Sequence, residues 1–236
     1  MSIFDLQQID RAELLDLHQG SLAEVRTSLH DIRRINTYLG GAKVIGDATF
    51  ALLRKHNLRH ATILDIGTGS GDLPTYLARK ARRYNLELKV FALDINARHL
   101  KIAREDLRDT TPNIHLLQAD AFHLPLENES VDVVISSLFL HHFRAPQIRE
   151  LLAEFERVSR VGFVVNDLVR HNVPLWFFRL TRPIFARSYI TRHDGEASLR
   201  RAYTTAEMRE IVRGSSVQKA VVREHFPFRL SIVNEL

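Results

Sequence analysis

The residues best equipped for chemistry gather at a few separated points. At Leu64-Asp65-Ile66-Gly67-Thr68-Gly69-Ser70-Gly71-Asp72 an apolar run ends and an amphipathic one begins. Glycines suit such a turn because a ligand can approach the bare backbone and some positions take positive φ. Amides at the start of the following helix offer donors and the positive end of a dipole to an anionic group. Pro74 falls in that helix's first turn, where a missing amide hydrogen costs little. The spacing is Gly-x-Gly-x-Gly; a dinucleotide fingerprint would place its third glycine where Asp72 stands. Two more acids, Asp94 in Ala92-Leu93-Asp94-Ile95 and Asp120 in Gln118-Ala119-Asp120-Ala121-Phe122, close the next two apolar runs. Each carboxylate accepts two hydrogen bonds at once. After the fourth run comes Leu140-His141-His142-Phe143, a pair able to take a proton or hold a hydroxyl near neutrality. Asp167, Arg170 and His171 follow the fifth. Taken singly, the turn also reads as a plain strand–helix connection and each strand-end aspartate as a helix cap.

Position is what makes these residues informative. From Ala61 onward, short apolar runs alternate with helix-length amphipathic segments, the pattern of successive β-α units and a mostly parallel sheet. The runs predict strands at 61–66, 89–93, 114–118, 131–136 and 162–166, with helices near 73–84, 97–108 and 147–158. Residues 217–224 and 228–233 are strand-like and joined by a few residues around Pro227, so they must form an antiparallel hairpin. The first forty residues read as helical, with Leu22, Val25, Leu29 and Ile32 at three- and four-residue spacing before Gly40-Gly41; a second helix is predicted from about Lys43 to His56. These expectations divide the chain into a helical cap, 1–58, and a main domain, 59–236, with an aromatic insertion at about 168–203.

With three signals in order at successive strand ends, Asp65 through Asp72 resemble the signature of class I S-adenosylmethionine-dependent methyltransferases. The resemblance covers residues 61–166 and, in outline, the C-terminal hairpin. It implies an α/β, Rossmann-like three-layer sandwich: a seven-stranded, mostly parallel sheet with an antiparallel C-terminal hairpin strand, plus the helical cap. It also implies a donor site. Asp65, Gly67, Thr68, Gly69 and Gly71 would cradle the donor's amino-acid end and Asp94, with Ile95, its ribose. Asp120, with Ala121 and Phe122, would hold the adenine, Ser137 would line the site, and Tyr38 would cover it from the cap unless that cap is a purely structural helix pair.

The acceptor is less marked. Ser136-Ser137-Leu138-Phe139 stands after the fourth strand in place of the Asn/Asp-Pro-Pro-Tyr motif that serves exocyclic amines. There are no cysteines, which closes thiolate chemistry and thiolate metal sites, and serines stand where a catechol enzyme's metal would need a carboxylate, so no metal is expected. His142 is the candidate base, with the alternative that it merely caps or packs; His141, Asp167, Arg170, Trp176 and Phe178 are candidate acceptor-side residues. His193-Asp194 reads as an oriented pair or as a solvated loop. The insertion, with Phe177 and Phe185 beside Arg179, Arg182 and Arg187, suits an aromatic pocket for a small hydrophobic acceptor, core packing, or a face resting on a membrane. The resemblance extends to quinone-biosynthesis enzymes and to small-molecule O-methyltransferases of secondary metabolism, which implies a phenolic or quinone-like acceptor.

Composition bounds the rest. The 236 residues suit one main core, and 45% hydrophobic with 26% charged residues is ordinary for a globular protein. A net charge of +5 is a weak signal, and the arginines are dispersed, which argues against a nucleic-acid footprint and leaves RNA methylation or a silent, structural member of the fold as rivals. The start, with Asp5 and Asp10, does not resemble a secretory signal, and no apolar stretch is long enough for a membrane span; a cytoplasmic location is expected, with no indication of oligomeric state.

Overall fold

The computed structural model describes residues 6–107 and 113–236; Asp5 and Arg108 lie outside them. Seven strands form one sheet: β1 (His60–Ile66), β2 (Glu87–Asp94), β3 (Ile114–Gln118), β4 (Val131–Ser137), β5 (Ser159–Leu168), β6 (Val221–His225) and β7 (Arg229–Glu235). Their order is β3-β2-β1-β4-β5-β7-β6. β1 to β5 are parallel, whereas β7 runs antiparallel to both β5 and β6. The expected hairpin is present, but β6 begins only at Val221 because the preceding residues turn, with the Ala220 amide donating to Val217. Strand order reverses between β1 and β4, and a doubly wound sheet binds its ligands beyond the carboxyl ends at such a switch.

The helices are α1 (Leu22–Tyr38), α2 (Gly41–Lys55), α3 (Asp72–Arg83), α4 (Ala97–Asp106), α5 (Ala145–Val158), α6 (Asn172–Phe185), α7 (Tyr189–Arg201) and α8 (Thr205–Arg213). α2 and α3 cover one face of the sheet, with Ile45, Phe50, Leu53 and Leu77 packed on Ile63, Val90, Val133 and Val164. α5 and α8 cover the other, where Ile148, Leu151, Phe155 and Met208 meet Leu64, Val134, Phe163 and Leu230. Each such side chain contributes about 1.5–3 kcal/mol by leaving water. Buried on both faces, β4 carries Val133-Val134-Ile135 as a contiguous apolar centre instead of an alternating pattern. No helix among the described residues is long and apolar enough to cross a membrane.

The amino-terminal region differs from the helix expected over the first forty residues. α1 starts at Leu22, where the Ser21 hydroxyl accepts from the Glu24 amide and the Glu24 carboxylate accepts from the Ser21 amide. Residues 6–20 form a strap with a single turn. Tertiary partners take its backbone: the Asp194 carboxylate accepts from the Leu14 and Leu15 amides at 2.8 and 3.1 Å, and Arg170 donates to the Leu6 carbonyl. At the strap's other end Arg98 donates to the carbonyls of His18 and Gly20. The strap, α1, α6 and α7 thus assemble beyond the carboxyl ends of the strands, while α2 packs on the sheet as part of a main layer.

Candidate active site

The glycine turn is pinned to the end of β2: the amides of Gly67 and Thr68 both donate to the Leu93 carbonyl at 2.9 Å. Gly67 has φ +73°, and a Cβ there would lie 2.7 Å from the Phe139 ring, so position 67 admits only glycine without displacing its neighbours. The Asp94 carboxylate faces this turn, accepting from the Gly69 amide at 2.9 Å and from the Asn96 amide at 2.8 Å. Asp120 accepts from the Phe122 amide at 3.0 Å and stays half-buried.

These groups open into one cavity of about 1200 Å³. Asp65, Gly67, Thr68, Gly69, Asp94 and Ile95 line it, as do Asp120, Ala121, Phe122, Ser137 and Tyr38. Gly71 does not reach its wall; with φ +74° it caps α3. Tyr38 is 72% exposed and tilts against Phe185 from the rim. Burial pushes the Asp65 carboxyl up to about 7. Its Oδ2, Thr68 Oγ1 and Ser70 Oγ are buried without hydrogen-bond partners. Unmet polar atoms at a glycine turn fit a ligand that brings its own donors and acceptors.

Across the cavity stands the histidine pair, on a short 3₁₀ turn, Leu140–His142. It follows Leu138, a non-glycine residue at φ +56° that lines the cavity. His141 Nδ1 donates to Asp167 Oδ1 at 2.7 Å, and its Nε2 lies 3.4 Å from Glu13 Oε1. Burial alone would discharge this ring, but Asp167 and Glu13 outweigh burial and push it up to about 10. Burial likewise opposes ionisation of Glu13 and Asp167, yet the histidine charges hold both below the usual carboxylate range. His142 lines the cavity with Nδ1 donating to Asp16 at 2.9 Å. Glu13, His141 and His142 bring ligand-type atoms within 4.8 Å of one another, each of them already engaged in an ion pair.

The remaining candidates separate. Phe178 and His141 line the cavity. Asp167 lies behind His141, and Arg170 is turned away, its guanidinium shared among Leu6, Ala202 and Glu207 as a structural clamp. Trp176 points outward, 66% exposed, under the Arg179 guanidinium. His193 and Asp194 do pair, but Asp194 spends its oxygens on the strap amides. Sequence reasoning missed Glu13, Asp16 and His18 of the strap, Phe228 in the β6–β7 turn and Arg229 just after it, all in the cavity wall. No local pattern marks them; the acidic character of the strap is the one signal available.

The strand order, the switch-point cavity and the glycine turn with its acidic partners define a class I S-adenosylmethionine-dependent methyltransferase fold. Residues 63–162 match a family model described as a methyltransferase domain. The ubiquinone/menaquinone biosynthesis C-methyltransferase of Idiomarina loihiensis is 40% identical over 78 residues, covering 32% of this chain and 30% of that protein. The phthiotriol/phenolphthiotriol dimycocerosates methyltransferase of Mycobacterium leprae is 33% identical over 45% of this chain and 36% of its own length. The chain therefore spans about a third of the length of these curated relatives. A solved S-adenosylmethionine-dependent methyltransferase from Aquifex aeolicus superimposes over 92% of this chain and 98% of its own, with TM-score 0.58 at 16% identity.

Proposed function

We propose that the protein transfers a methyl group from S-adenosylmethionine to oxygen or carbon of a small hydrophobic acceptor of aromatic, phenolic or quinone-like type. The observation that carries this reading is the continuity of one cavity from the glycine turn, Asp94 and Asp120 to the aromatic wall of α6, with His142 lining it. Asp65, Gly67 and Gly69 would hold the donor's amino-acid end, Asp94 the ribose hydroxyls and Asp120 the adenine amine. Bound there, the cofactor supplies a methyl group on an activated sulfonium. The chain's own task is to hold the acceptor in line and manage its proton. With Nδ1 donating to Asp16, His142 presents Nε2 as the nitrogen that takes a proton from a phenol or enol. His141, held as a cation by two carboxylates, positions the strap and is no base.

The named relatives are a C-methyltransferase of ubiquinone/menaquinone biosynthesis and a phthiotriol/phenolphthiotriol dimycocerosates methyltransferase, in keeping with an apolar acceptor. A cytoplasmic location belongs to this reading, as does contact with a membrane face. Trp176, Leu180 and Ile184 form an exposed stripe on α6, 66%, 80% and 64% accessible, beside Arg179 and Arg182. Trp176 is the sole tryptophan, so its emission should shift to the blue with anionic vesicles; unchanged emission removes the membrane contact.

Calorimetry with S-adenosylmethionine tests the central reading, together with a screen of phenols and quinols using labelled donor. Absence of binding by the intact chain, or binding indifferent to Asp94→Ala, would sink it.

A further inference from the structure

Of 33 lysines and arginines, Arg229 alone reaches the cavity wall among the described residues. It opens β7, opposite Leu168 of β5 and His225 of β6, and is 1% exposed. Its Nη1 and Nη2 are buried with no hydrogen-bond partner. Asp167 lies near enough to act on its charge, but that carboxylate is occupied by the His141 ring and by the amides of His141 and Leu168. Burial pushes the guanidinium down to about 10, against the pull of Asp167, so it stays cationic at neutrality.

A buried cation with unmade hydrogen bonds burdens the fold, and native interiors keep such groups where something else supplies the acceptors. A guanidinium fork matches the two oxygens of a carboxylate. The other charges on the wall favour a monoanion: the carboxylates of Glu13, Asp16, Asp65, Asp72, Asp94, Asp120 and Asp194 would repel a dianion more strongly, and the His141 charge is already shared between Glu13 and Asp167. Leu168, Val173 and Phe228 share this wall with the arginine and are apolar.

We propose that Arg229 is the receptor for a carboxylate carried by the acceptor, which makes the acceptor an amphipathic acid with an apolar body against α6 and one anionic end on β7. This rests on the methyltransfer reading for its chemistry, but the recognition itself is measurable without turnover.

Titration calorimetry on the full chain, with and without S-adenosylhomocysteine, would compare para-hydroxybenzoate with para-hydroxybenzyl alcohol, para-hydroxycinnamate with its alcohol, and octanoate with octanol and octyl phosphate. At least one carboxylate should bind about tenfold or more tighter than its alcohol. Arg229→Met should erase that preference, Arg229→Lys should keep part of it, and both should leave S-adenosylhomocysteine affinity within about twofold. Arg229→Met removes an unpaired buried charge at nearly constant length, so it should melt no lower than the parent; should it fail to fold, Arg229→Lys still reads the loss of the fork.

The proposal falls if no carboxylate is preferred, if the preference survives in Arg229→Met, or if octyl phosphate binds tighter than octanoate. It also falls if Arg229→Met weakens S-adenosylhomocysteine as much as the acid, which would put the arginine in the donor site. A parent chain that ignores S-adenosylhomocysteine yet prefers the acid would end the methyltransfer reading and leave Arg229's role standing.

Discussion

On the proposed reading the cavity has a donor half and an acceptor half, and the donor half would be assembled from residues at or just beyond a strand end: Gly67 and Gly69 follow β1, Asp94 closes β2 and Asp120 follows β3. The acceptor half draws Glu13 and Asp16 from the strap, His142 from beyond β4, Phe178 from α6 and Arg229 from β7. In the first half the ladder of the sheet fixes each side chain, and the Leu93 carbonyl ties turn to strand. In the second, position depends on polar contacts between segments up to 185 residues apart, such as Ser198 donating to Glu13 at 2.8 Å. A site of this kind separates a geometry fixed by the sheet from one held by tertiary contacts, and perturbing one half should leave the other readable.

The sharpest break of this comparison is His142→Ala, expected to lower turnover about 10²- to 10⁴-fold while donor affinity stays put; labelled-donor turnover and calorimetry measure the two separately. A parallel loss of donor affinity would mean the halves are not separable. Asp94→Ala strikes the other side, costing two hydrogen bonds to a charged acceptor, with donor Kd expected to rise about 100-fold and acceptor KM unmoved.

Glu13→Gln removes one carboxylate from His141, and should lower thermal stability by about 1–3 kcal/mol and raise acceptor KM with donor affinity intact. Its pH signature has a definite sign. His141 is raised from 6.5 to about 10 in the folded chain, so its contribution to stability is full below pH 6.5 and is lost as pH rises through about 10. Thermal scans of the parent should therefore weaken over that window, and Glu13→Gln should weaken less.

Asp65 behaves in the opposite sense from an ordinary paired carboxylate. Its pKa, raised by burial to about 7, means the free fold bears the cost of its charge above that value and not below 3.8. A cationic donor needs the ionised form, so donor affinity should fall as pH drops below about 7, by at most about tenfold per unit, and Asp65→Asn should flatten the profile. Calorimetry across that range checks it; a pH-independent Kd in the parent would remove Asp65 from contact with the donor's positive charge.

What the sequence discloses follows the same division. The apolar runs locate all seven strands, with β3 at its observed bounds, and the central parallel strands β1, β4 and β5, largely buried, leave the most contiguous signals. The places of Gly67, Asp94 and Asp120 in the cavity wall were legible because they depend on a few neighbouring residues. Arg229 was not. Nothing nearby distinguishes it from the dispersed arginines; what singles it out is burial, which the β5–β7 pairing creates. The strap was misread for a related reason, since an apolar pattern compatible with helix yields when Asp194 and Arg170 take its backbone groups. Arg170, expected on the acceptor side from its place after β5, and Trp176, expected there from the aromatic character of the insertion, do not line the cavity, because neither position nor composition says which way a side chain faces.

The Asp16 carboxylate on His142 acts as a tethered competitor. Held on the same chain, it is present at an effective concentration of about millimolar order, whatever the concentration of protein. An acceptor whose hydroxyl displaces it binds with its intrinsic affinity reduced by that standing competition, whereas one that addresses only Nε2 pays nothing. On the proposed reading the strap would thereby grade acceptors by the nitrogen they approach, before any methyl group moves.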